Sequence, residues 1–242
     1  FFVPPGTELK FYEEWKQKRL NWHLALGLGQ ENYKFHDHEK LAHYANAAAD
    51  IEFKFPFGFK ELEGIHSRTD FDLSAHEKFS GRKLQYFDPE RNENYVPYVV
   101  ETSIGLDRMF LALFSNCLKD EVLEDGSERT VLSLPPALAP VKAAILPLVK
   151  KDGLPEFAEK IFNDLKYDFN VISEEKDSIG KRYRRQDAIG TPFCITVDHD
   201  SLADNTVTLR ERDTMKQERV KVEDLRRIID EKVNFRTLLS KI

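Results

Sequence analysis

Four residues within eight positions, Glu101, Ser103, Gly105 and Arg108, carry groups that could bind a charged ligand. A strand rich in Val and Tyr is predicted to end at Glu101, and a helix is predicted to begin at Leu106. The free N–H groups and the dipole of a helix N-terminus favour anions, and an arginine there can grip phosphate oxygens. Because the Glu101 carboxylate could hold an ammonium group, this segment could bind an amino acid beside a nucleotide triphosphate. An ordinary strand–turn–helix connection with a solvated arginine is the alternative.

A second segment, residues 59–68, places two carboxylates among apolar side chains. In a regular extended strand, Phe59, Glu61, Glu63 and Ile65 share one face. Burying a carboxylate among apolar groups costs free energy unless the carboxylate is paired or bound to a cation. A substrate ammonium group would be such a cation, so the strand predicts a second part of an amino-acid site. The alternative is an exposed strand with one polar side.

Periodicity and turn residues predict the elements that must position both segments. Helices are predicted over residues 7–28 and 38–49, the second ending in an alanine-rich stretch. Two alternating strands, 51–55 and 59–66, flank a Pro-Phe-Gly turn and predict an antiparallel hairpin. Together with the strand at 95–101, they indicate that the first half is mainly an antiparallel sheet with helices.

The pattern changes after residues 119–129, a charged segment that we interpret as an exposed linker or loop. Beyond it strands alternate with helices, which is typical of a separate α/β domain. The predicted strands are 143–149, 171–173, 193–197 and 206–209, and the predicted helices are 155–165, 179–186 and 222–239. We therefore predict an α+β protein with two domains, 1–130 and 131–242.

Six basic residues in the second half are candidates for contacts with a nucleic acid. Four of them surround Tyr183 in a chain whose formal net charge is −6, so they form a local basic patch. Such cations neutralise phosphates, and an aromatic ring stacks on a base. A solvated helix face explains the first four equally well. The candidates are Lys181, Arg182, Arg184, Arg185, Arg210 and Arg212.

The composition excludes several other classes of protein. Of the 242 residues, 41% are hydrophobic and 12% aromatic, which supports globular cores and argues against disorder. No apolar run approaches the ~20 residues of a membrane helix, and no secretory signal is visible. Cys117 and Cys194 cannot build a disulfide framework, and no Cys/His spacing resembles a zinc site. These features predict a cytoplasmic protein without a zinc site.

Residues 101–108 resemble motif 3 of class II aminoacyl-tRNA synthetases, in the version found in glycyl-tRNA synthetases of the homodimeric type. The resemblance implies that Arg108 is catalytic and contacts the ATP phosphates. It implies that Glu101 and Ser103 bind glycine, and that Glu101 also contacts ATP. Thr102 stands where many members have proline, which is a small departure from the pattern.

Residues 59–73 also resemble the catalytic core of this family. The resemblance implies that Glu61 helps to form the glycine pocket and that Arg68 contacts ATP. Three further segments resemble the anticodon-binding domain of glycyl-, prolyl-, threonyl- and histidyl-tRNA synthetases: 134–148, 178–197 and 206–219. Together they imply part of a class II antiparallel-sheet core, followed by an α/β anticodon-binding domain with a mixed sheet.

The resemblance implies a homodimer that attaches glycine to tRNA(Gly) through a glycyl-adenylate, with ATP as substrate and Mg²⁺ on its phosphates. Segments matching the family's motifs 1 and 2 are not found, and the chain opens on Phe1 without an initiator Met. We therefore expect a C-terminal fragment that is inactive alone. The alternative is a non-catalytic nucleic-acid-binding relative, such as the accessory subunit of the mitochondrial DNA polymerase. The joint presence of the glycine and ATP residues argues against that alternative.

Overall fold

A computed structural model describes residues 1–240 of the chain. It contains two compact units, the first spanning Phe1–Ser115 and the second beginning at Asn116. The elements that begin in the first unit are β1 (Phe2–Val3), α1 (Glu8–Ala25), β2 (Tyr33–Asp37), β3 (Ala47–Phe55), β4 (Gly58–Ser67), α2 (Phe71–Ser80), β5 (Tyr86–Asp88), β6 (Glu93–Tyr95), β7 (Tyr98–Ile104) and α3 (Leu106–Cys117).

The first unit is built on a five-stranded antiparallel sheet in the order β1-β7-β4-β3-β2. One face of the sheet carries buried apolar side chains, including Ile51 and Phe53 of β3 and Ile65 of β4, each 0% exposed. Helix α1 lies on this face and covers it. The alternation of buried and exposed residues along β3 follows from the period of two in a strand. The predicted helix at 7–28 and the predicted antiparallel hairpin are confirmed.

A β-bulge in β4 changes which residues face outward. Ile51 pairs with Glu63, but the next residue of β3, Glu52, pairs with Glu61, so Leu62 is one extra residue in β4. Glu63 therefore lies on the buried face with Ile51, whereas Glu61 lies on the opposite face with Glu52. The prediction that Glu61 and Glu63 share a face is wrong, because it assumed an uninterrupted strand.

The predicted helix at residues 38–49 is also wrong. The alanine-rich stretch begins β3, and Ala48 and Ala49 are buried at 6% and 0% exposure between the neighbouring strands. Alanine favours an isolated helix, but the intrinsic preference is small and burial in the sheet overrides it.

The second unit carries the elements β8 (Leu118–Val122), β9 (Glu128–Leu132), β10 (Ala143–Pro147), α4 (Leu154–Leu165), β11 (Val171–Ser173), α5 (Ile179–Ile189), β12 (Phe193–Val197), α6 (His199–Asp204), β13 (Thr206–Glu211), β14 (Gln217–Lys221), α7 (Leu225–Val233) and α8 (Phe235–Leu239). Strands β8 and β9 form an antiparallel hairpin over the segment that was predicted to be a linker. That prediction is wrong for both ends of the segment, which are strands; in β9, exposed and buried residues alternate, with Arg129 and Val131 buried.

The main sheet of the second unit is mixed, as predicted, with the order β11-β10-β12-β13-β14. Strand β10 is parallel to β11 and β12, whereas β13 is antiparallel to both of its neighbours, β12 and β14. Helices α4 and α7 pack on one face around Ile145 and Ile195, and α5 packs on the other face against Leu146 and Cys194. An antiparallel sheet followed by a mixed sheet with helices on both faces confirms the predicted α+β fold class.

Candidate functional site

The strand register brings three of the predicted ligand-binding residues of the first unit onto one face. Glu101 of β7 lies directly opposite His66 of β4, and Ser103 lies opposite Gly64. Residues that face each other across an antiparallel pair project from the same side of the sheet. Because of the bulge, Glu61 projects from this side as well, away from α1. The face that α1 leaves uncovered therefore carries a row of carboxylate and hydroxyl groups.

Arg108 joins this row from the first turn of α3. Its Nη1 donates a hydrogen bond to the carbonyl oxygen of Glu61 at 2.5 Å and lies 3.3 Å from the Glu61 carboxylate. Both side chains are about half exposed, at 52% and 54%. An exposed ion pair contributes little to stability, so a ligand can replace it at low cost. The predicted residues Glu61 and Arg108 thus lie together at the solvent.

Arg68 is held in a fixed orientation by three neighbours. Its Nε and Nη2 donate to the two oxygens of Asp72 at 2.6 and 3.1 Å, and its Nη1 donates to Glu101 at 2.7 Å. The Tyr44 ring lies below the guanidinium, with its centroid 4.1 Å from Cζ. The hydrogen bonds from Arg68 hold the pKa of Asp72 below its usual value, and the bonds to Asp72 and Glu101 raise the pKa of Arg68. Arg68 is therefore a charged link between α2 and β7.

The turn between β4 and α2 places Asp72 next to Arg68. Thr69 has a φ of 53°, in the left-handed region that β-branched residues seldom adopt. Its carbonyl accepts from the Val99 amide at 2.9 Å, and the Arg68 amide donates to the Val99 carbonyl at 2.8 Å. These two bonds hold the strained backbone against β7, which is typical of turns at functional sites.

Gly64, which lies opposite Ser103, is covered by the side chain of His66. A β-carbon added at Gly64 would lie 2.8 Å from Cε1 of His66 and 3.7 Å from a carboxylate oxygen of Asp50. The imidazole of His66 therefore lies against the glycine, in space that a larger residue would occupy. Asp50 is paired in turn with His38 at 2.9 Å. Glycine at this position therefore admits the His66 ring to the face that carries Glu101 and Ser103.

Glu63, which sequence reasoning left without a role, is buried on the opposite face of the sheet. It accepts hydrogen bonds from Arg19 at 2.6 and 3.2 Å and contacts Nε2 of His23 at 2.7 Å. Glu63 and His23 are 1% and 0% exposed. Burial raises the pKa of Glu63, but the hydrogen bonds with His23 and Arg19 outweigh burial and bring the pKa below its usual value. This cluster anchors the bulge of β4 to α1.

A pocket of about 350 Å³ lies beside the exposed Glu61–Arg108 pair. Phe55 and Phe57 form part of its wall and stack nearly parallel, with ring centroids 5.2 Å apart. Lys60 adds a second cation beside Arg108. Within residues 1–240, the His, Cys, Asp and Glu side chains do not form a group of three that could hold a metal ion. A pocket with aromatic walls and two cations can accept a planar anionic molecule.

The six basic residues predicted to contact nucleic acid separate into two groups. Lys181 is exposed, and Arg184 and Arg185 are 38% and 40% exposed. The other three residues are buried, at 2%, 3% and 1% exposure: Arg182, Arg210 and Arg212.

The structure corrects the prediction for these three arginines. Arg182 donates to the carbonyl oxygens of Pro147 and Glu174 at 2.8 and 3.0 Å. Arg212 donates to carbonyl oxygens of Gly190 at 2.8 Å and Leu134 at 2.7 Å. Their guanidinium groups are bound inside the unit, as is that of Arg210, and so are not available to phosphates.

Asp187 of α5 is the centre of the buried charges and was missed by sequence reasoning. Arg210 binds both of its oxygens, at 2.7 and 2.9 Å, and Arg129 of β9 approaches within 3.3 Å. Arg129 also donates to the Arg212 carbonyl at 2.9 Å and to Glu121 at 2.7 Å. Asp187 is 0% exposed. The charges therefore compensate one another within the protein and hold the β8–β9 hairpin to α5.

A groove of about 350 Å³ is the exposed part of the basic surface. Its lining includes Lys181, Tyr183 and Arg184 of α5, together with Met215, Gln217 and Arg210, whose guanidinium is bonded to Asp187. Tyr183 is fixed by a 2.6 Å hydrogen bond with Thr196 and by the Arg210 guanidinium 4.8 Å from its ring centroid. The groove combines exposed cations, a rigid aromatic ring and polar groups, which is the chemistry of nucleic-acid binding.

Comparison with known proteins finds similarity that extends over both units. A family model described as an anticodon binding domain matches residues 142–232. A glycine–tRNA ligase of Chlorobaculum tepidum is 54% identical over 221 residues, which cover 91% of this chain and 47% of the relative. A glycine–tRNA ligase of Macrococcus caseolyticus is 53% identical over 237 residues, covering 97% of this chain and 51% of the relative. Over nearly its whole length, the chain is therefore homologous to about half of a glycine–tRNA ligase.

The chain spans about half the length of the curated glycine–tRNA ligases it matches. Among solved structures, the RNA binding domain of threonyl-tRNA synthetase from Cryptosporidium parvum Iowa II superposes with a TM-score of 0.67 at 18% identity. The match covers 96% of this chain and 62% of that structure, and it supports the fold assignment. No helix in residues 1–240 is both long and apolar enough to cross a membrane.

Two residues that hold this structure together, Asp72 and Asp187, were not predicted from the sequence, for different reasons. Asp72 had a local signal, because it follows Arg68 by four positions at the start of a helix, where opposite charges meet. Asp187 had a weaker one, because Arg184 lies one turn before it within 4.0 Å, but the two arginines that bond it are 23 and 58 residues away in the chain. Ion pairs between residues so far apart in the sequence can be identified only once the arrangement of the strands is known.

Proposed function

We propose that this protein attaches glycine to tRNA(Gly) in two ATP-dependent steps. The observation that carries the proposal is the sheet face that α1 leaves uncovered, from which Glu61, Glu101 and Ser103 project, with Arg108 bonded to Glu61. The identity with glycine–tRNA ligases supports it. In the first step a carboxylate oxygen of glycine attacks the α-phosphorus of ATP, and pyrophosphate leaves. In the second, the terminal ribose hydroxyl of the tRNA attacks the glycyl carbonyl, and AMP leaves.

The residues act by positioning and by charge, and no covalent enzyme intermediate is required. Glu101 and Glu61 hold the glycine ammonium group, and the Ser103 hydroxyl orients the amino acid. Arg108 binds the ATP phosphates with the guanidinium that now contacts Glu61. Arg68 is already bound to Glu101, so its contribution to ATP binding is made next to that carboxylate. Mg²⁺, brought with the nucleotide, neutralises phosphate charge.

Selectivity for glycine follows from exclusion of larger side chains rather than from apolar attraction. A hydrophobic pocket gains only ~1–3 kcal/mol per methylene, and glycine offers none. The carboxylates that hold the ammonium group also occupy the space that a β-carbon of another amino acid would need.

We propose that the second unit binds the anticodon arm of tRNA(Gly) through the groove lined by Lys181 and Arg184. The match to an anticodon binding domain supports this role. The predicted domain boundary after residue 130 falls inside β9, and Arg129 pairs with Asp187. We therefore propose a catalytic region ending near Ser115 and an anticodon-binding region beginning near Asn116. We also propose a cytoplasmic homodimer.

Glycine-dependent exchange between ATP and labelled pyrophosphate tests the first step. The complete gene product should catalyse it, and Glu101→Ala should abolish it while retaining the wild-type melting temperature. Exchange that is unchanged in Glu101→Ala would rule out the assigned site. A complete gene product that binds tRNA but shows no exchange would support the non-catalytic alternative. The same assay on the 242-residue chain tests whether it is inactive alone.

A further inference from the structure

Asp72 belongs to α2 and lies outside the sheet face that carries Glu61, Glu101 and Ser103, yet it is bonded to Arg68. It takes two hydrogen bonds from Arg68, at 2.6 and 3.1 Å, whereas Glu101 takes one, at 2.7 Å. Asp72 lies in the first turn of α2 and Glu101 lies in β7. Arg68 therefore connects a carboxylate of the helix with a carboxylate of the site.

We infer that Asp72 is a positioning residue that sets the orientation and net charge of the Arg68–Glu101 pair, and through them the affinity for the substrate ammonium group. The inference rests on the proposed function, because it concerns the same site. Asp72 itself touches no substrate in this arrangement.

The orientation follows from the shape of the guanidinium group. Asp72 occupies the edge formed by Nε and Nη2, and the Tyr44 ring covers the plane at 4.1 Å. A planar donor fixed on one edge and one face has a single direction left for Nη1, and that direction leads to Oε2 of Glu101. Loss of the Asp72 contact would let Arg68 rotate and release Glu101 from its position.

The charge balance follows from counting the three groups. Arg68 carries one positive charge, and Asp72 and Glu101 each carry one negative charge, so the trio has a net charge of −1. This excess charge attracts an ammonium group. Without the charge of Asp72 the trio is neutral, and Arg68 cancels the attraction of Glu101. The three side chains are only 21–35% exposed, so solvent screens this effect incompletely.

A purely structural role for Asp72 makes different predictions. An acidic residue in the first turn of α2 stabilises the helix dipole whatever its neighbour, so its loss would lower stability and affect both substrates alike. Asp70, at the start of the same helix, provides a matched control, because it bonds Ser74 at 2.7 Å rather than Arg68. Asp70→Asn makes the same change of charge at the same helix end.

The test is pyrophosphate exchange by the complete gene product, with KM measured separately for glycine and for ATP. Asp72→Asn should raise the KM for glycine about tenfold, as expected for one charge acting across a partly screened distance, and should raise the KM for ATP clearly less, because Arg108 still holds the phosphates. Asp72→Glu should restore most of the glycine affinity, and Asp70→Asn should match the wild type. Thermal unfolding of each variant checks that it is folded.

The same substitution made in an Arg68→Met variant shows whether Asp72 acts through Arg68 or independently of it. In Arg68→Met, adding Asp72→Asn should raise the KM for glycine clearly less than tenfold, since the orienting link is already broken and only the direct effect of the Asp72 charge remains. Equal changes in both KM values, or a full tenfold effect in the Arg68→Met background, would overturn the inference. If the wild type catalyses exchange and Asp72→Asn has the same KM for glycine, the inference is overturned and the proposed function stands. Absence of glycine-dependent exchange in the wild type would overturn the proposed function and this inference with it.

Discussion

Arg108 donates a hydrogen bond to the carbonyl oxygen of Glu61 at 2.5 Å, and this contact joins the start of α3 to the bulge of β4. The residues are 47 positions apart in the chain, and both are about half exposed. The pair links the two segments in which sequence reasoning placed the binding of glycine and ATP. Since the contact is exposed, it positions the groups without contributing much to the stability of the fold.

Replacing Arg108 separates its chemical role from a structural one. Arg108→Ala is expected to lower the rate of glycyl-adenylate formation at least about 100-fold, the effect typical of removing one donor to developing charge. Its melting temperature should stay near that of the wild type, because the side chain is half exposed. Pyrophosphate exchange and thermal unfolding of the complete gene product measure the two effects. A large loss of stability with unchanged exchange would contradict the assignment.

The buried Glu63 predicts a pH-dependent contribution to stability. Glu63→Gln should cost about 3 kcal/mol in the free energy of unfolding at pH 7, because Arg19 and His23 lose a buried partner. The folded-state pKa of Glu63 lies below its usual value of 4.5. Its contribution is therefore complete above that value and is lost as the pH falls through the folded-state pKa.

Urea unfolding of wild type and Glu63→Gln at a series of pH values checks this sign. The difference between them should be largest near neutral pH and should shrink below about pH 4.5 as Glu63 takes up a proton. The exposed pair formed by Arg91 and Glu93 offers a control, since Glu93→Gln should change stability far less. A difference that grows on acidification would contradict the proposed ionisation.

Asp187 should be essential for the stability of the second unit. Asp187→Asn leaves Arg210 and Arg129 buried with less negative charge to pair with, which is expected to cost about 3–5 kcal/mol. Asp200→Asn, a change of the same kind at an exposed position of α6, should be nearly neutral. Urea unfolding followed by circular dichroism measures both variants. Equal stability of Asp187→Asn and the wild type would show that the buried network is not needed.

The exposed cations of α5 are predicted to bind tRNA through phosphates. Lys181→Ala and Arg184→Ala should each weaken tRNA(Gly) binding, and each should reduce the slope of log Kd against log salt by about one. Lys232→Ala, an exposed cation on α7, is the control and should leave the slope unchanged. Titrations of the complete gene product at several KCl concentrations provide the slopes. An equal effect of all three changes would indicate non-specific attraction.

Local patterns predicted the α+β fold class, the hairpin of β3 and β4, and the helix after Gly105, because each rests on periodicity or turn residues nearby in the chain. The alanine-rich stretch before Ile51 was mistaken for a helix, since its burial depends on strands that only the folded sheet supplies. In the sequence, nothing distinguishes the basic residues Arg210 and Arg212 from Lys181 and Arg184. Only burial distinguishes internal arginines from exposed ones, and burial is a property of the folded unit.

The bulge at Leu62 has a consequence for how this strand can change. In the sequence Glu61-Leu62-Glu63, two identical side chains serve opposite sides of the sheet, one toward solvent and one toward α1. Because of the extra residue, each side chain of β4 before Leu62 projects from the opposite face to the one it would take in a regular strand. Removing one residue here would turn the Glu61 carboxylate inward and empty its place beside Arg108. The length of this strand is therefore as much a part of the site as the identity of its residues.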